Sequence, residues 1–274
     1  MSQDTNVRHA RSWQDGSIPF CHDRTMTALG WMTRYDAGRH DEIWHELRML
    51  GDRVHESRYR PEAQAVCDEM ATRAHQNVTT LVAALTADGY TFTTNDDDRA
   101  PVSPHVSPGP RAAELAHWLD ERFGIPLAVA SWVRIVGDVW FIGEHPRWST
   151  AADADPLVME LSGARYPEQD VRAYLEDDYA QWQEWAKSEP AEAGVFGLPA
   201  APDRLTKANV SGGLPYGFPI PDRSAEGTFR GDVAMPFVAY LNHVFDNAGF
   251  PHPTTPPDEQ SRLRRELAPR MLRL

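Results

Sequence analysis

Residues 121–148, ERFGIPLAVASWVRIVGDVWFIGEHPRW, place a short apolar helix directly before an apolar strand. This helix–strand joint, residues 121–148, constrains the fold more than any other stretch of the sequence. Pro126 suits the first turn of a helix, because its missing N–H would have no intrahelical partner there. Gly137 then ends the helix, since glycine takes the positive φ of a tight stop at little steric cost. The apolar run 138–143 is typical of a strand covered on both faces. The sequence therefore predicts a helix, a glycine and a strand that set the direction of a small sheet.

The first part of the chain predicts three helices. Apolar residues recur at helical spacing from Met26 to Met32, again over 43–50, and along a longer stripe over 63–85. We expect these helices to form a three-helix unit over residues 20–92. The polar segment 1–19 before them is expected to be frayed.

A change in composition divides the chain after this unit. Residues 93–110, TTNDDDRAPVSPHVSPGP, are rich in proline and aspartate and hold almost no large apolar side chain, which predicts a linker or a long surface loop. A second domain is expected over 111–252. Residues 253–274 predict a spacer and a basic, amphipathic tail.

The second domain mixes helical and extended patterns. We expect helices over 111–122, 167–188 and 232–250, a strand over 156–161, and two strands around the Gly-Gly turn of RLTKANVSGGLPYGFPIP, residues 204–221. The predicted fold class is therefore α+β. A three-helix unit precedes a domain with a small mixed or antiparallel sheet flanked by helices.

The charge balance limits the partners. The chain has 27 basic and 40 acidic residues, a formal net charge of −13. Such a field repels phosphate backbones, so we expect no nucleic-acid partner and favour a basic protein partner. No apolar run approaches the roughly 20 residues that span a bilayer, so no membrane partner is expected. The two cysteines, Cys21 and Cys67, make no disulfide framework, which indicates a cytoplasmic protein.

One cluster could carry chemistry. In GRHDEIWHEL, residues 38–47, Asp41 and His45 are four residues apart on a predicted helix, so their side chains project from one face and could share a divalent metal. The reaction would be metal-assisted hydrolysis, with a carboxylate as general base. The order is not the H-E-x-x-H of zinc proteases, and the same spacing suits a solvated acidic face. A metal-dependent hydrolase is thus an alternative; the leading prediction has no catalytic residue and no cofactor.

Two further groups of residues are candidates for a site. KANVSGGLPYG, residues 207–217, predicts a structural turn rather than a phosphate loop, because the lysine precedes the glycines. The positions assigned to structural turns or a pocket are Gly137, Gly143, Lys207, Asn209, Gly212, Gly213 and Tyr216. Trp148, Trp182 and Trp185 are candidate partner-binding residues if they are exposed, while core packing is the other role that such aromatic side chains take.

The joint at 124–146, GIPLAVASWVRIVGDVWFIGEHP, also resembles the signature of the SUKH superfamily, which includes eukaryotic cell-wall assembly regulators and many bacterial immunity proteins. The matching positions are Ile125-Pro126, Trp132, Gly137, residues 139–142 and Gly143. The resemblance covers roughly residues 111–250, and the N-terminal helices lie outside it.

The resemblance implies a compact α+β domain that works by binding another protein. Bacterial members commonly neutralise a toxin encoded beside them. It therefore implies an immunity or regulatory protein, and a net charge of −13 would complement a basic toxin. A structural component of a larger assembly is the second alternative.

Overall fold

The computed structural model describes residues 30–274. The frayed segment expected at 1–19, Cys21 and the start of the first predicted helix lie outside the described residues. The helices are α1 Trp31–Asp36, α2 His40–Leu50, α3 Arg60–Ala87, α4 Ala112–Phe123, α5 Leu127–Ile135, α6 Val171–Ser188, α7 Pro190–Ala193, α8 Arg204–Lys207, α9 Phe237–Asp246 and α10 Asp258–Leu267. The strands are β1 Thr91–Phe92, β2 His105–Val106, β3 Asp138–Trp140, β4 Gly143–Glu144, β5 Val158–Met159, β6 Gly197–Ala201, β7 Tyr216–Pro219, β8 Thr228–Arg230 and β9 Ala234–Pro236.

The strands form three small antiparallel sheets, with strand orders β1-β4, β2-β3-β5 and β6-β7-β8-β9. The predicted α+β class is therefore confirmed. A separate N-terminal three-helix unit is not confirmed. The helices α1, α2 and α3 are present, but α3 packs chiefly against α5, and the buried apolar side chains form one cluster from Trp31 to Leu274.

The segment 93–110 packs against both neighbouring parts of the chain. Val102 donates its N–H to Phe92 O at 3.0 Å, and β2 pairs with β3 through His105 and Val139. The division of the chain into two domains at this segment stays a prediction.

The joint between α5 and β3 has the predicted order of helix, glycine and strand. Pro126 precedes the first residue of α5, and the N–H groups of Leu127 and Ala128 donate to Ser224 O and Ala225 O. Gly137 has φ +87°, and a Cβ there would lie 2.3 Å from Val106 O. The indole N–H of Trp132 donates to Gly137 O at 2.9 Å and so ties the helix to the turn.

The run 138–143 differs from the single predicted strand. Its first three residues form β3, while Gly143 belongs to β4 and pairs with Phe92 in another sheet. A Cβ at Gly143 would lie 2.2 Å from Thr91 O, so the glycine permits this close approach of two backbones. The segment after α5 therefore contributes one strand to each of two sheets.

Three predicted elements need correction. Residues 204–207 form α8 rather than a strand, because Asp203 caps the backbone N–H groups of Leu205 and Thr206. Residues 234–236 form β9, so α9 begins only at Phe237. The helix predicted over 167–188 begins at Val171, since the Asp170 carboxylate accepts from the N–H groups of Arg172 and Ala173.

The predicted spacer and basic tail fold back onto the body of the protein. Within 253–274, α10 is followed by a segment whose Leu272 exchanges two hydrogen bonds with the buried Asn77 side chain of α3, at 2.8 and 2.9 Å. Arg273 lies 3.2 Å from Asp41 and 3.6 Å from Asp246. The tail thus docks on the acidic surface of the same chain. None of the helices described is both long enough and apolar enough to cross a bilayer.

Candidate functional site

A cleft of about 510 Å³ lies between the loop 161–170 with the start of α6 on one side and β6 with α8 on the other. Its volume falls in the range of sites that hold small ligands or peptide side chains. Most of its lining is apolar: Leu161, Val171, Leu175, Pro199, Ala200, Ala201, Pro202 and Pro215. Tyr166 and Tyr174 also line it and are 41% and 57% exposed, so they place aromatic rings at its rim.

The floor of the cleft is set by a buried carboxylate. Asp138, in β3, is fully buried and accepts from the backbone N–H groups of Leu161, Ser162 and Arg165 at 3.1, 2.8 and 3.1 Å. These three bonds fold the loop that follows β5. The Glu160 N–H donates to Ala200 O at 2.7 Å and brings that loop against β6. The cleft is therefore formed where two of the sheets meet.

Among the residues that line the cleft, Glu160 has the most strongly shifted pKa. Burial raises its pKa to about 7, although the neighbouring Arg165 acts in the opposite direction; Asp138 raises it further. Arg165 Nε lies 2.6 Å from Glu160 Oε1, so the two side chains form a close ion pair. The guanidinium itself is 9% exposed, donates to Ser103 O at 2.9 Å and lies 5.3 Å from the Trp140 ring centre.

The opposite wall holds a third carboxylate, Asp203. It accepts from the N–H groups of Leu205 and Thr206 and, at 2.7 Å, from the Thr206 hydroxyl. Burial acts to raise its pKa, but these bonds together hold the pKa below the usual range. A Cβ at Gly212 would lie 2.0 Å from Asp203 Oδ2, so only a glycine lets the turn close over the carboxylate. Gly213 lines the cleft itself.

Behind this wall lies the rest of the predicted turn. Lys207 is fully buried, with Nζ 2.6 Å from Asp155 Oδ1 and 5.0 Å from the Tyr216 ring centre. Burial lowers the pKa of Lys207, while Asp155 acts to raise it. The Tyr216 hydroxyl donates to Asp232 at 2.7 Å. Asn209 is exposed, has φ +60° and donates to Asp97 at 2.7 Å. The turn residues therefore shape and support the cleft wall.

The three tryptophans predicted to bind a partner occupy different environments. Trp148 is 3% exposed, and its indole N–H donates to Thr254 Oγ1 at 3.0 Å. Trp182 is half-buried and lines a second cavity of about 420 Å³ with Tyr179 and Phe196. Trp185 is 40% exposed. Of the three, Trp185 offers the most surface and Trp148 almost none; their partner-binding role stays a prediction.

One group of described residues has the spacing of a metal site: Asp88, His145 and Glu259 each offer an atom within 4.8 Å of the others. Two guanidinium groups already occupy it, because Arg147 and Arg262 both contact the two carboxylates. The backbone N–H of Arg147 donates to His145 Nδ1 at 3.2 Å, so the proton of the neutral ring lies on Nε2, which faces Asp88. The group is therefore arranged as an ion-pair network, without a free imidazole lone pair for a cation.

The alternative metal pair lies elsewhere. Asp41 and His45 are exposed on α2, and the Asp41 side chain, 85% exposed, contacts Arg273. Neither belongs to the group of potential ligands found in the described part of the chain. The metal-dependent hydrolase stays a prediction.

The sequence analysis missed the residues that define the cleft, above all Glu160, Tyr166 and Tyr174. One signal was available: Glu160 is the single charged residue within the apolar run 156–161. Its pairing with Arg165 depends on the loop geometry that Asp138 imposes from another strand, and no local pattern shows that.

No family model, no curated protein and no solved structure matches this chain, so its relation to the SUKH superfamily stays a prediction.

Proposed function

We propose that this protein is a binding module for another protein, and that the cleft between α6 and β6 is its binding site. The observation that carries the proposal is the apolar lining of this cleft together with Tyr166 and Tyr174 at its rim. Exposed aromatic side chains beside an apolar depression are the usual anchors of protein interfaces.

The arrangement of the carboxylates supports binding rather than catalysis. Acid–base chemistry commonly needs two groups that are free to exchange protons. Asp138 and Asp203 are each held by three hydrogen bonds to the loops they shape. Glu160 is left as the one lining carboxylate without such bonds among the described residues.

The concrete form of the proposal is a toxin-neutralising or regulatory protein. The net charge of −13 favours a basic partner, because complementary charge accelerates association and excludes acidic competitors. The resemblance of residues 124–146 to the SUKH signature is the further support for an immunity role.

The test is affinity capture from an extract of the native host at moderate salt, with wild type and two variants as bait. Tyr174→Ala removes an aromatic ring from the cleft rim. Trp185→Ala removes one from the same helix, but Trp185 does not line the cleft. We expect one protein to be retained by wild type and Trp185→Ala and lost with Tyr174→Ala. Equal retention by all three baits would remove the cleft from the proposal.

A further inference from the structure

We propose that the cleft selects a partner segment in which a lysine or arginine side chain is flanked by apolar residues, with Glu160 as its counter-ion. This inference rests on the proposed function and adds the chemistry of the segment that the cleft takes.

The charged side chains that line the cleft are all acidic. Asp138, Glu160 and Asp203 line it, and no basic side chain is among the described residues of its lining. Arg165 lies against Glu160 but does not line the cleft. An ammonium or guanidinium group entering such a depression meets a favourable field, while a carboxylate meets side chains of like charge.

Glu160 differs from the other two carboxylates in its unfilled acceptor capacity. A carboxylate offers about four acceptor positions. Three positions are filled at Asp138 and three at Asp203 by backbone and hydroxyl donors, whereas Glu160 Oε1 contacts only Arg165, at 2.6 Å, and no described donor bonds to Glu160 Oε2. Because Oε1 is buried against Arg165, Oε2 is the oxygen left for a cationic donor from a partner, and such a charge-assisted hydrogen bond would strengthen binding.

The same geometry makes binding of the cation depend on pH. Arg165 faces Glu160 at 2.6 Å, Asp138 and Tyr166 lie within its electrostatic reach, and Asp203 stands on the opposite wall. With a Glu160 pKa of about 7, the carboxylate is roughly one-tenth ionised at pH 6 and nine-tenths ionised at pH 8. A bound cation favours the ionised form. Affinity for a cationic segment should therefore rise about tenfold from pH 6 to pH 8, with release of a proton.

The experiment is selection from a random heptapeptide library displayed on phage, with immobilised full-length protein at pH 8. Enriched peptides are synthesised in two forms, one as selected and one with its lysine or arginine replaced by norleucine, which keeps the apolar stem and removes the charge. Dissociation constants are measured for wild type, Tyr174→Ala, Trp185→Ala and Glu160→Gln.

The expected result is enrichment of peptides with one basic residue between apolar ones. The norleucine form should bind wild type at least tenfold more weakly, and Glu160→Gln should abolish that difference. Glu160→Gln leaves the Arg165 guanidinium without its counter-ion, which threatens folding. Two further measurements avoid this problem. The double variant Glu160→Gln/Arg165→Met removes both charges of the ion pair, and the affinity of the wild-type protein is measured from pH 6 to pH 8.

The outcomes separate the two proposals. The cation inference is overturned if norleucine peptides bind wild type as tightly as the basic peptides do. It is also overturned if the preference for basic over norleucine peptides persists in both Glu160 variants, or if this preference stays constant from pH 6 to pH 8. In those cases the proposed function stands if Tyr174→Ala still weakens binding. The proposed function itself fails if selection yields no peptide that distinguishes Tyr174→Ala from Trp185→Ala.

Discussion

The Lys207 ammonium lies 2.6 Å from the Asp155 carboxylate, and the two side chains are 0% and 7% exposed. Lys207 ends α8; the capping residue Asp203 and Thr206 of this helix line the cleft, while Asp155 follows the turn at 151–154. The pair therefore holds one wall of the cleft to the body of the protein from behind.

Removal of one partner from this pair should destabilise the protein strongly. Lys207→Met leaves the Asp155 carboxylate buried without a counter-ion, which costs about 3–5 kcal/mol in such sites. The double variant Lys207→Met/Asp155→Asn removes both charges and should recover part of that loss; asparagine also tolerates the φ of +54° at residue 155. Urea denaturation gives the free energies of unfolding.

Lys187→Met is the matched control, because that lysine side chain is 71% exposed and its ion pair with Glu184 lies on the surface. We expect a change within about 1 kcal/mol for it. A double variant no more stable than Lys207→Met would contradict this expectation, because removal of the second charge would then recover nothing.

The sequence pattern was sufficient to predict elements that depend on interactions between neighbouring residues of the chain. The apolar stripe over 63–85 predicted α3, because apolar residues at helical spacing can be recognised in the sequence. The glycine after an apolar helix predicted the turn at Gly137, because a positive φ favours glycine. The pattern gave the wrong element over 204–207. This helix has four residues, too few to show a helical periodicity, and it is capped by the Asp203 carboxylate.

The cleft could not be predicted because its parts come from distant segments. Asp138 organises the loop after β5 across more than 20 residues of sequence, and Lys207 pairs with Asp155 across 52. Such contacts follow from tertiary packing and not from neighbouring residues. The resemblance suggested Lys207 and Asn209 as buried polar residues of the turn; Lys207 is buried and Asn209 is exposed, and the pairing of Lys207 with Asp155 could be seen only in the folded chain.

Substitution of Gly137 should separate conformational strain from steric exclusion. Gly137 and Gly38 have nearly the same φ, +87° and +83°, but a Cβ at Gly137 would lie 2.3 Å from Val106 O, whereas one at Gly38 would have no described atom within 4 Å. Gly38→Ala should cost about 1–2 kcal/mol from the left-handed backbone alone. Gly137→Ala should cost clearly more, because β2 must move away from β3. Equal losses in chemical denaturation would show that the joint absorbs the extra atom.

The stability of the protein should depend on pH through Glu160. Its pKa in the folded state, about 7, lies above the ordinary value of 4.5, so the folded protein binds the proton more tightly than the unfolded chain. This contribution to stability is complete below pH 4.5 and is lost as the pH rises to 7, by up to about 3 kcal/mol. Burial also raises the pKa of Glu226, which adds a dependence of the same sign.

The part due to Glu160 is the difference between wild type and Glu160→Gln in free energy of unfolding, measured from pH 5 to pH 8. Wild type should lose more stability over that interval than the variant does. Parallel curves for the two proteins would contradict the raised pKa and, with it, the pH dependence expected for binding of a cation in the cleft.

Zinc should leave the melting temperature of the wild-type protein unchanged. At the group formed by Asp88, His145 and Glu259, the carboxylates contact Arg147 and Arg262, and a divalent cation would have to displace both guanidinium groups and move the proton from His145 Nε2. Differential scanning fluorimetry with and without zinc, together with metal analysis of the purified protein, measures this. Stoichiometric zinc that is lost in His145→Ala would show that the network opens to a metal. Zinc lost only in Asp41→Ala/His45→Ala would instead support the hydrolase alternative, because among residues 30–274 the one cation in contact with these two exposed side chains is Arg273, at Asp41.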